Sequence, residues 1–209
     1  MAETIIIGDV HGCYRELMDL LDKIGPSSSD KVYFVGDLIT KGPSNREVLD
    51  FLIEQKQMQT VLGNHENALL MKYRSQPVVL KRSQKKTRKE LGRKFNSYMK
   101  FVAKWPLMIK LPGDGLIVHA GIRPDISLNK QTAEDCTNIR TVNGVPWFEK
   151  YKGKKTIVFG HWVTERPIIR KNVIGLDTGC VYGGKLTALL WEKQKFVSVP
   201  ARHDYNNSN

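Results

Sequence analysis

Four of the five histidines in this chain of 209 residues share one local pattern, and that pattern is the strongest constraint on the fold. Each follows a short apolar run of strand length and lies beside Gly, Asp or Asn. The four segments are Gly8-Asp9-Val10-His11-Gly12, Gly63-Asn64-His65-Glu66, His119-Ala120-Gly121 and Gly160-His161. Gly36-Asp37-Leu38 has the same form without a histidine. Polar residues that recur at strand ends are typical of an α/β sheet that binds its ligand along one edge.

The spacing of apolar residues supports this fold class. Thr4–Ile7 and Val32–Val35 are predicted strands, and Tyr14–Ile24 and Asn45–Gln55 are predicted helices. The half that begins at Met108 is richer in short strands. We therefore predict a two-sheet α/β sandwich flanked by helices, forming a single domain over residues 1–200. Residues 201–209 are polar, and we expect them to be a disordered tail.

The net charge of +12 is concentrated in one segment. Residues 72–100 contain eleven Lys and Arg and a single acid, Glu90, so they carry +10 and the rest of the chain carries +2. A solvated helical face and a basic cap that recruits an anionic substrate are both consistent with this segment, which we call the basic insert.

Composition narrows the function classes. The longest apolar runs are far shorter than the ~18 residues that a membrane-spanning helix needs, so we expect no membrane partner. Three cysteines are too few and too odd in number for a disulfide framework. Because the first motif begins at Gly8, we expect no cleaved leader. Together these features indicate a cytoplasmic protein.

The strand-end residues form a set of metal donors. Imidazoles and carboxylates together bind divalent transition metals, and this set exceeds the needs of one ion, which indicates two metals bridged by a shared carboxylate. The expected residues are Asp9, His11, Asp37, Asn64, His65, His119 and His161. Mn²⁺ is the expected metal, and Fe, Zn, Co and Ni remain open because these donors do not distinguish among them.

These motifs resemble the calcineurin-like metallophosphoesterases of the phosphoprotein-phosphatase type over residues 5–190. The resemblance implies a phosphoester hydrolase in which a metal-bridging hydroxide attacks phosphorus directly. It also implies that His65 is the general acid and that Arg140 holds the phosphate. It assigns the metal ligands as well: Asp9 and His11 to the first metal, Asp37 to the bridge, and Asn64, His119 and His161 to the second.

Two departures from the protein-phosphatase pattern affect the expected substrate. Thr40 replaces the carboxylate that would polarise the catalytic histidine, and Lys41 replaces an arginine. Gly36–Pro43, together with the segments around His119, His161 and Asp177, is more similar to the symmetrical diadenosine tetraphosphate hydrolase (ApaH) and ApaH-like branch. That resemblance implies a phosphorylated small molecule or nucleotide as substrate, namely a dinucleoside polyphosphate such as diadenosine tetraphosphate, with nucleoside-polyphosphate caps at RNA 5′ ends as a further substrate.

Several alternatives and secondary residues stay open from the sequence. A Ser/Thr or Tyr protein phosphatase shares the metal core, and a nucleic-acid-binding protein with a vestigial metal site would explain the basic insert. Lys41, Asn64 and Tyr182 are further candidates for substrate contacts, and Arg123 is a second candidate for phosphate binding. The sequence does not determine the oligomeric state.

Overall fold

The computed structural model describes residues 2–206, and Met1 and 207–209 lie outside that range. The first half contains β1 (Thr4–Ile7), α1 (Tyr14–Ile24), β2 (Lys31–Phe34), α2 (Asn45–Glu54), β3 (Met58–Thr60), α3 (Asn64–Tyr73), α4 (Arg82–Leu91) and α5 (Phe95–Val102). The second half contains β4 (Met108–Lys110), β5 (Gly115–Val118), α6 (Ala133–Asn138), β6 (Thr141–Val142), β7 (Val145–Pro146), α7 (Trp147–Lys150), β8 (Thr156–Phe159), β9 (Ile168–Arg170), β10 (Val173–Gly175), β11 (Lys185–Leu190) and β12 (Lys195–Pro200).

Ten of the strands form two mixed five-stranded sheets, and β6 and β7 form a separate antiparallel pair. The first has the order β12-β11-β1-β2-β3, and the second has the order β4-β5-β8-β10-β9. The strands β1, β2 and β3 are parallel to one another, as are β5, β8 and β10. Parallel strands end on the same side of their sheet, so the loops that follow these six strands reach one edge of the sandwich. The predicted α/β sandwich is confirmed.

Successive side chains of a strand point to opposite faces of its sheet, and this alternation forms the layers of the core. In β1 the side chains of Ile5 and Ile7 pack against the helices, whereas Ile6 packs between the sheets. In β5 Ile117 enters the same inter-sheet core, and Leu116 and Val118 pack on the outer side of the second sheet. Both strands therefore bury both faces, as expected for a sandwich covered by helices.

The basic insert is a packed helical hairpin. On α4 the side chains of Gln84, Thr87 and Leu91 are buried, at helical spacing, against α2 and α3. A 3-10 turn (Gly92–Lys94) leads into α5, whose Tyr98 and Met99 belong to the helical side of the core. The charged residues lie on the remaining surface of the hairpin.

The described part of the C-terminal segment differs from the expected disordered tail. The backbone N–H of Arg202 and the hydroxyl of Tyr205 both donate to Glu16 Oε1, at 2.9 and 2.7 Å. The Arg202 guanidinium also pairs with Asp19 on α1. Residues 201–206 are therefore held against α1, and the expectation for 207–209 lies outside the described residues.

Two expectations from composition concern membrane-spanning helices and disulfides. Within residues 2–206 no helix combines the length and the hydrophobicity that crossing a bilayer requires. Cys13, Cys136 and Cys180 are buried and free, in agreement with the absence of a disulfide framework.

Candidate active site

Six of the strand ends bring polar side chains to one edge of the sandwich. These side chains belong to Asp9 and His11 after β1, Asp37 after β2, Asn64 and His65 after β3, His119 after β5, His161 after β8 and Asp177 after β10. Most of them line a cavity of about 390 Å³. The sequence pattern had predicted all of them except Asp177.

Asp37 is the residue that joins two donor clusters. His11, Asp37 and His65 offer atoms within 4.8 Å of one another, and Asp37, His119 and His161 form a second such group. Asp37 Oδ2 lies 3.6 Å from His11 Nε2 and 3.4 Å from His119 Nε2. One buried carboxylate therefore faces both groups, which is the arrangement expected of a bridging ligand.

Asn64 and Asp9 both lie beside the second group. Asn64 Oδ1 lies 3.0 Å from His119 Nε2 and 3.1 Å from His161 Nδ1. The carboxylate of Asp9 accepts a hydrogen bond from the backbone N–H of His161, at 3.1 Å from Oδ2. Gly160 permits this close approach, because a Cβ at that position would overlap Asp9 Oδ1.

Backbone carbonyls orient two of the imidazoles. His119 Nδ1 donates to Val35 O at 2.8 Å, and His11 Nδ1 faces Ile39 O at 3.4 Å. Because a carbonyl only accepts, each Nδ1 carries the proton and each Nε2 is directed at Asp37. A metal-ligating histidine is commonly fixed in the same way by a hydrogen bond at its other nitrogen.

The acids of the site repel one another in a buried environment. Burial raises the pKa of Asp9 well above its usual range, and the nearby Asp177 raises it further. Burial likewise raises the pKa of Asp177 to about 6. Carboxylates gathered away from water favour either protonation or a bound cation, so this donor set fits divalent metal ions.

Asp37 and His119 behave as a charge pair. Burial alone would raise the pKa of Asp37, but His119 and His65 lower it well below its usual range. Burial would lower the pKa of His119, but Asp37 raises it to about 9. Both nitrogens of His119 face acceptors, so the ring binds a second proton, which a cation held by Nε2 would replace.

His65 is held by the residue that departs from the protein-phosphatase pattern. Thr40 Oγ1 hydrogen-bonds with His65 Nδ1, so a hydroxyl takes the place of the usual carboxylate as the orienting group. Burial lowers the pKa of His65 to about 4, with the positive charges of Lys41 and Lys81 among the causes. His65 also donates its backbone N–H to Asp37 Oδ1 at 3.0 Å.

Glu66 supports the loop that carries Asp37 and was not among the predicted site residues. Its carboxylate accepts hydrogen bonds from the backbone N–H groups of Asp37 and Ile39, at 3.2 and 2.9 Å. Burial raises the pKa of Glu66 to about 8, and the charge of Asp37 adds to the rise. The sequence feature that could have identified Glu66 is its place in the Gly63-Asn64-His65-Glu66 motif.

Cationic and aromatic side chains flank the donors at two ends of the cavity. At one end Lys41 Nζ donates to His11 Nε2 at 2.8 Å and lies 5.1 Å from the centre of the Tyr182 ring. At the other end Arg140 donates to His161 O at 3.0 Å and lies over Trp162. The structure thus brings Lys41, Tyr182 and Arg140 to the cavity, as expected.

Arg123 lies elsewhere. It pairs with Asp125 at 2.7 Å on the surface, and it is not among the residues that line this cavity. The structure therefore does not support Arg123 as a second phosphate ligand.

The backbone is strained where the polar residues converge. His11, Asp37 and His161 have φ values of 48°, 50° and 65°, and Thr40 and Lys41 have values of 81° and 69°. Left-handed conformations cost about 1–3 kcal/mol for residues other than glycine and cluster at functional sites. Here the left-handed residues lie in the loops that follow β1, β2 and β8, where polar side chains reach the edge of the sandwich.

Comparison with known proteins agrees with this geometry. The model of the calcineurin-like phosphoesterase family matches residues 3–196. The bis(5′-nucleosyl)-tetraphosphatase PrpE (asymmetrical) of Halalkalibacterium halodurans is 35% identical over 229 aligned positions, covering 94% of this chain and 93% of that protein. The protein of the same name from Anoxybacillus flavithermus is 32% identical, covering 96% of this chain and 95% of its own length.

A solved structure described as a candidate diadenosine tetraphosphatase superposes with a TM-score of 0.84 at 29% identity, covering 96% of this chain and 94% of that one. The relatives are named for asymmetrical cleavage, whereas the sequence motifs had suggested the symmetrical branch. The broader resemblance is confirmed. This chain belongs to the calcineurin-like phosphoesterase family and is a metal-dependent hydrolase.

Proposed function

We propose that this hydrolase cleaves dinucleoside tetraphosphates asymmetrically, into a nucleoside monophosphate and a nucleoside triphosphate. The observation that carries the proposal is the place of Asp37 in both buried donor clusters, at the floor of a cavity with cationic walls. The names of the relatives, which align over nearly their whole length, support this substrate class.

The donors of the site fit two divalent cations, with Mn²⁺ as the expected metal. When bound, such ions stabilise negative charge on phosphoryl oxygens and lower the pKa of water. The proposed ligands are Asp9 and His11 for the first ion, Asp37 for both, and Asn64, His119 and His161 for the second.

The remaining residues bind the substrate and move one proton. Arg140 presents a planar guanidinium that suits two oxygens of one phosphate, and Lys41 adds a positive charge at the other end. Asn64 contacts the same phosphate, and Tyr182 forms a wall against which a base can stack.

His65 lies within the cavity and donates a proton to the oxygen of the departing phosphate. Its ring carries that proton when the negative charge of the polyphosphate offsets the burial that lowers its pKa. Thr40 keeps the ring in the orientation that this transfer needs.

The activity test is hydrolysis of diadenosine tetraphosphate with Mn²⁺ and with EDTA, with the products separated by chromatography. We expect AMP and ATP in equal amounts with Mn²⁺ and no turnover in EDTA. ADP as the sole product would contradict asymmetrical cleavage, and faster turnover of a phosphopeptide would indicate a protein phosphatase. RNA with a nucleoside-tetraphosphate cap belongs in the same panel.

Two arginines provide a matched control. Arg140→Gln removes a guanidinium that lines the cavity, and Arg123→Gln removes one that pairs with Asp125 on the surface. We expect kcat/KM for diadenosine tetraphosphate to fall at least ~10-fold in Arg140→Gln, since charged hydrogen bonds contribute about 1.5–3 kcal/mol. Arg123→Gln should retain the wild-type value.

A further inference from the structure

A second cavity extends the candidate active site along α4. Its volume is about 670 Å³, and Lys41, Lys81, Ser83 and Asn206 line both it and the first cavity, so the two cavities are adjacent. We call this second cavity the α4 groove. Its lining contains six cationic side chains and no carboxylate among the described residues. The six are Lys41, Lys81, Arg82, Lys85, Lys86 and Lys89.

The helix presents these charges in a fixed arrangement. The buried positions Gln84, Thr87 and Leu91 fix one face of α4 against the body of the protein. Arg82, Lys86 and Lys89 then recur at helical spacing along the groove. Like charges that line one groove repel one another, so the groove is suited to a ligand with several negative charges in a row.

The α4 groove meets the first cavity at one end of the candidate metal-binding residues. Lys41 contacts His11, and the rings of His11 and His65 are 5.0 Å apart. Lys41 also lines the α4 groove, so the groove begins at the end of the site that holds His65.

The opposite end of the site has different neighbours. Arg140 contacts the backbone of His161, whose ring lies 5.1 Å from that of His119. Arg140 lines the first cavity but not the α4 groove. The proton donor and the polycationic groove therefore lie at one end, and the phosphate-binding arginine lies at the other.

The placement of His65 and the α4 groove at one end of the site, and of Arg140 at the other, defines a direction for the substrate. The inference drawn from it rests on the proposed function. We propose that the α4 groove binds the three phosphates of the departing nucleoside triphosphate, while the phosphate that is attacked stays at the Arg140 end. Asymmetrical cleavage then follows from the groove, which accommodates three phosphates on the side where the leaving group must depart.

The proposed hydrolysis forms one phosphorus–oxygen bond and breaks another. The oxygen of water forms a new bond to the phosphorus of the future monophosphate, and the bond from that phosphorus to the bridging oxygen breaks. The electron pair of the broken bond stays on the bridging oxygen, which takes a proton from His65 and becomes a terminal oxygen of the nucleoside triphosphate. The water loses one proton to solvent as its oxygen bonds to phosphorus, and His65 regains one proton from solvent before the next turnover.

Isotope labelling tests the orientation directly. Diadenosine tetraphosphate is hydrolysed to completion in H₂¹⁸O with Mn²⁺, and both nucleotides are analysed by mass spectrometry. We expect ¹⁸O in AMP and none in ATP. Label in ATP would mean that the triphosphate is the attacked half, which would overturn the proposal.

Charge removal tests the location of the triphosphate. Arg82→Gln/Lys86→Gln removes two charges from the α4 groove, and Arg93→Gln/Lys94→Gln removes two from the adjacent 3-10 turn, outside it. We expect the groove variant to raise KM for diadenosine tetraphosphate by about three- to tenfold more than KM for p-nitrophenyl phosphate, as loss of two partly screened contacts predicts.

The groove variant should also weaken inhibition by ATP more than inhibition by AMP. The control variant should change neither KM nor inhibition. If both variants raise KM for diadenosine tetraphosphate equally, the lysines and arginines act only by general electrostatic attraction. That result would overturn the proposal.

A third measurement separates failure of this inference from failure of the proposed function. Inorganic tripolyphosphate is tested as an inhibitor of p-nitrophenyl phosphate hydrolysis, which does not require that the enzyme cleave dinucleotides. A Ki that rises at least threefold more in the groove variant than in the control supports a triphosphate subsite, whatever the natural substrate. An unchanged Ki overturns it, even if diadenosine tetraphosphate is cleaved.

Discussion

Glu90, the only acid in the basic insert, accepts a hydrogen bond from the side chain of Asn45 at 2.7 Å. Its second carboxylate oxygen accepts the backbone N–H of Arg46 at 3.1 Å, at the start of α2. Asn45 in turn accepts the backbone N–H of Thr40, whose hydroxyl holds His65. One chain of hydrogen bonds thus connects the basic insert to the proposed proton donor.

Replacing Glu90 should loosen α4 and disturb the site. In Glu90→Gln we expect the free energy of unfolding to fall by about 1 kcal/mol, because a charge-assisted contact at a helix N-terminus is weakened. KM for diadenosine tetraphosphate should rise together with this loss. Urea unfolding and steady-state kinetics are the measurements. Glu54→Gln, at an exposed position near the end of α2, is the control, and equal destabilisation by both variants would contradict the anchoring role.

The contact between Thr40 and His65 can be tested with isosteric variants. Thr40→Val keeps the shape of the side chain but removes the hydroxyl, so we expect kcat to fall about tenfold while KM changes little, since one hydrogen bond contributes about 0.5–1.5 kcal/mol. Thr40→Ser should restore most of kcat. A Thr40→Val enzyme with full kcat would show that the hydroxyl does not position His65.

The strand-end pattern identified the polar residues that meet at one edge of the sandwich because that pattern depends on local order along the chain. The predicted Thr4–Ile7 and Tyr14–Ile24 coincide with β1 and α1, where the apolar run of the strand, the helical periodicity and the left-handed Gly25 at the helix end all agree. The metal-donor residues converge because parallel strands necessarily end at one edge.

The parts that sequence analysis did not predict depend on contacts between distant residues. The buried face of α4 includes the polar Gln84 and Thr87, so apolar periodicity does not reveal it. Its position depends on Glu90 and Asn45, which are 45 residues apart in sequence. Asp177 had a signal that we did not use, since it follows β10 just as Asp37 follows β2.

Asp37 should be the residue whose loss affects both metal positions. In Asp37→Asn we expect kcat to fall by at least ~10²-fold and the bound metal per protein to drop, because an amide replaces the shared negative charge. Metal content after gel filtration, measured by plasma mass spectrometry, tests this separately from activity. Circular dichroism establishes that the variant is folded.

His65 should separate catalysis from metal binding. His65→Asn is expected to lose about 10²–10⁴-fold in kcat, as is typical for loss of a general acid, while it retains the metal content of the wild type. If metal content falls as much as in Asp37→Asn, His65 is a ligand, as its place in the cluster with His11 and Asp37 would allow. A fully active variant would remove it from the proposed mechanism.

Metal binding should also stabilise the fold, because it offsets the repulsion among the buried carboxylates of Asp9, Asp37 and Asp177. A ligand present at 100 times its Kd adds about 2.7 kcal/mol to the free energy of unfolding. For a chain of this size each kcal/mol raises Tm by about 2–4 °C, so we expect Mn²⁺ to raise Tm by roughly 5–10 °C over EDTA-treated protein. Differential scanning calorimetry is the measurement, and Asp37→Asn should show a clearly smaller shift. Equal shifts in both proteins would place the stabilising metal away from Asp37.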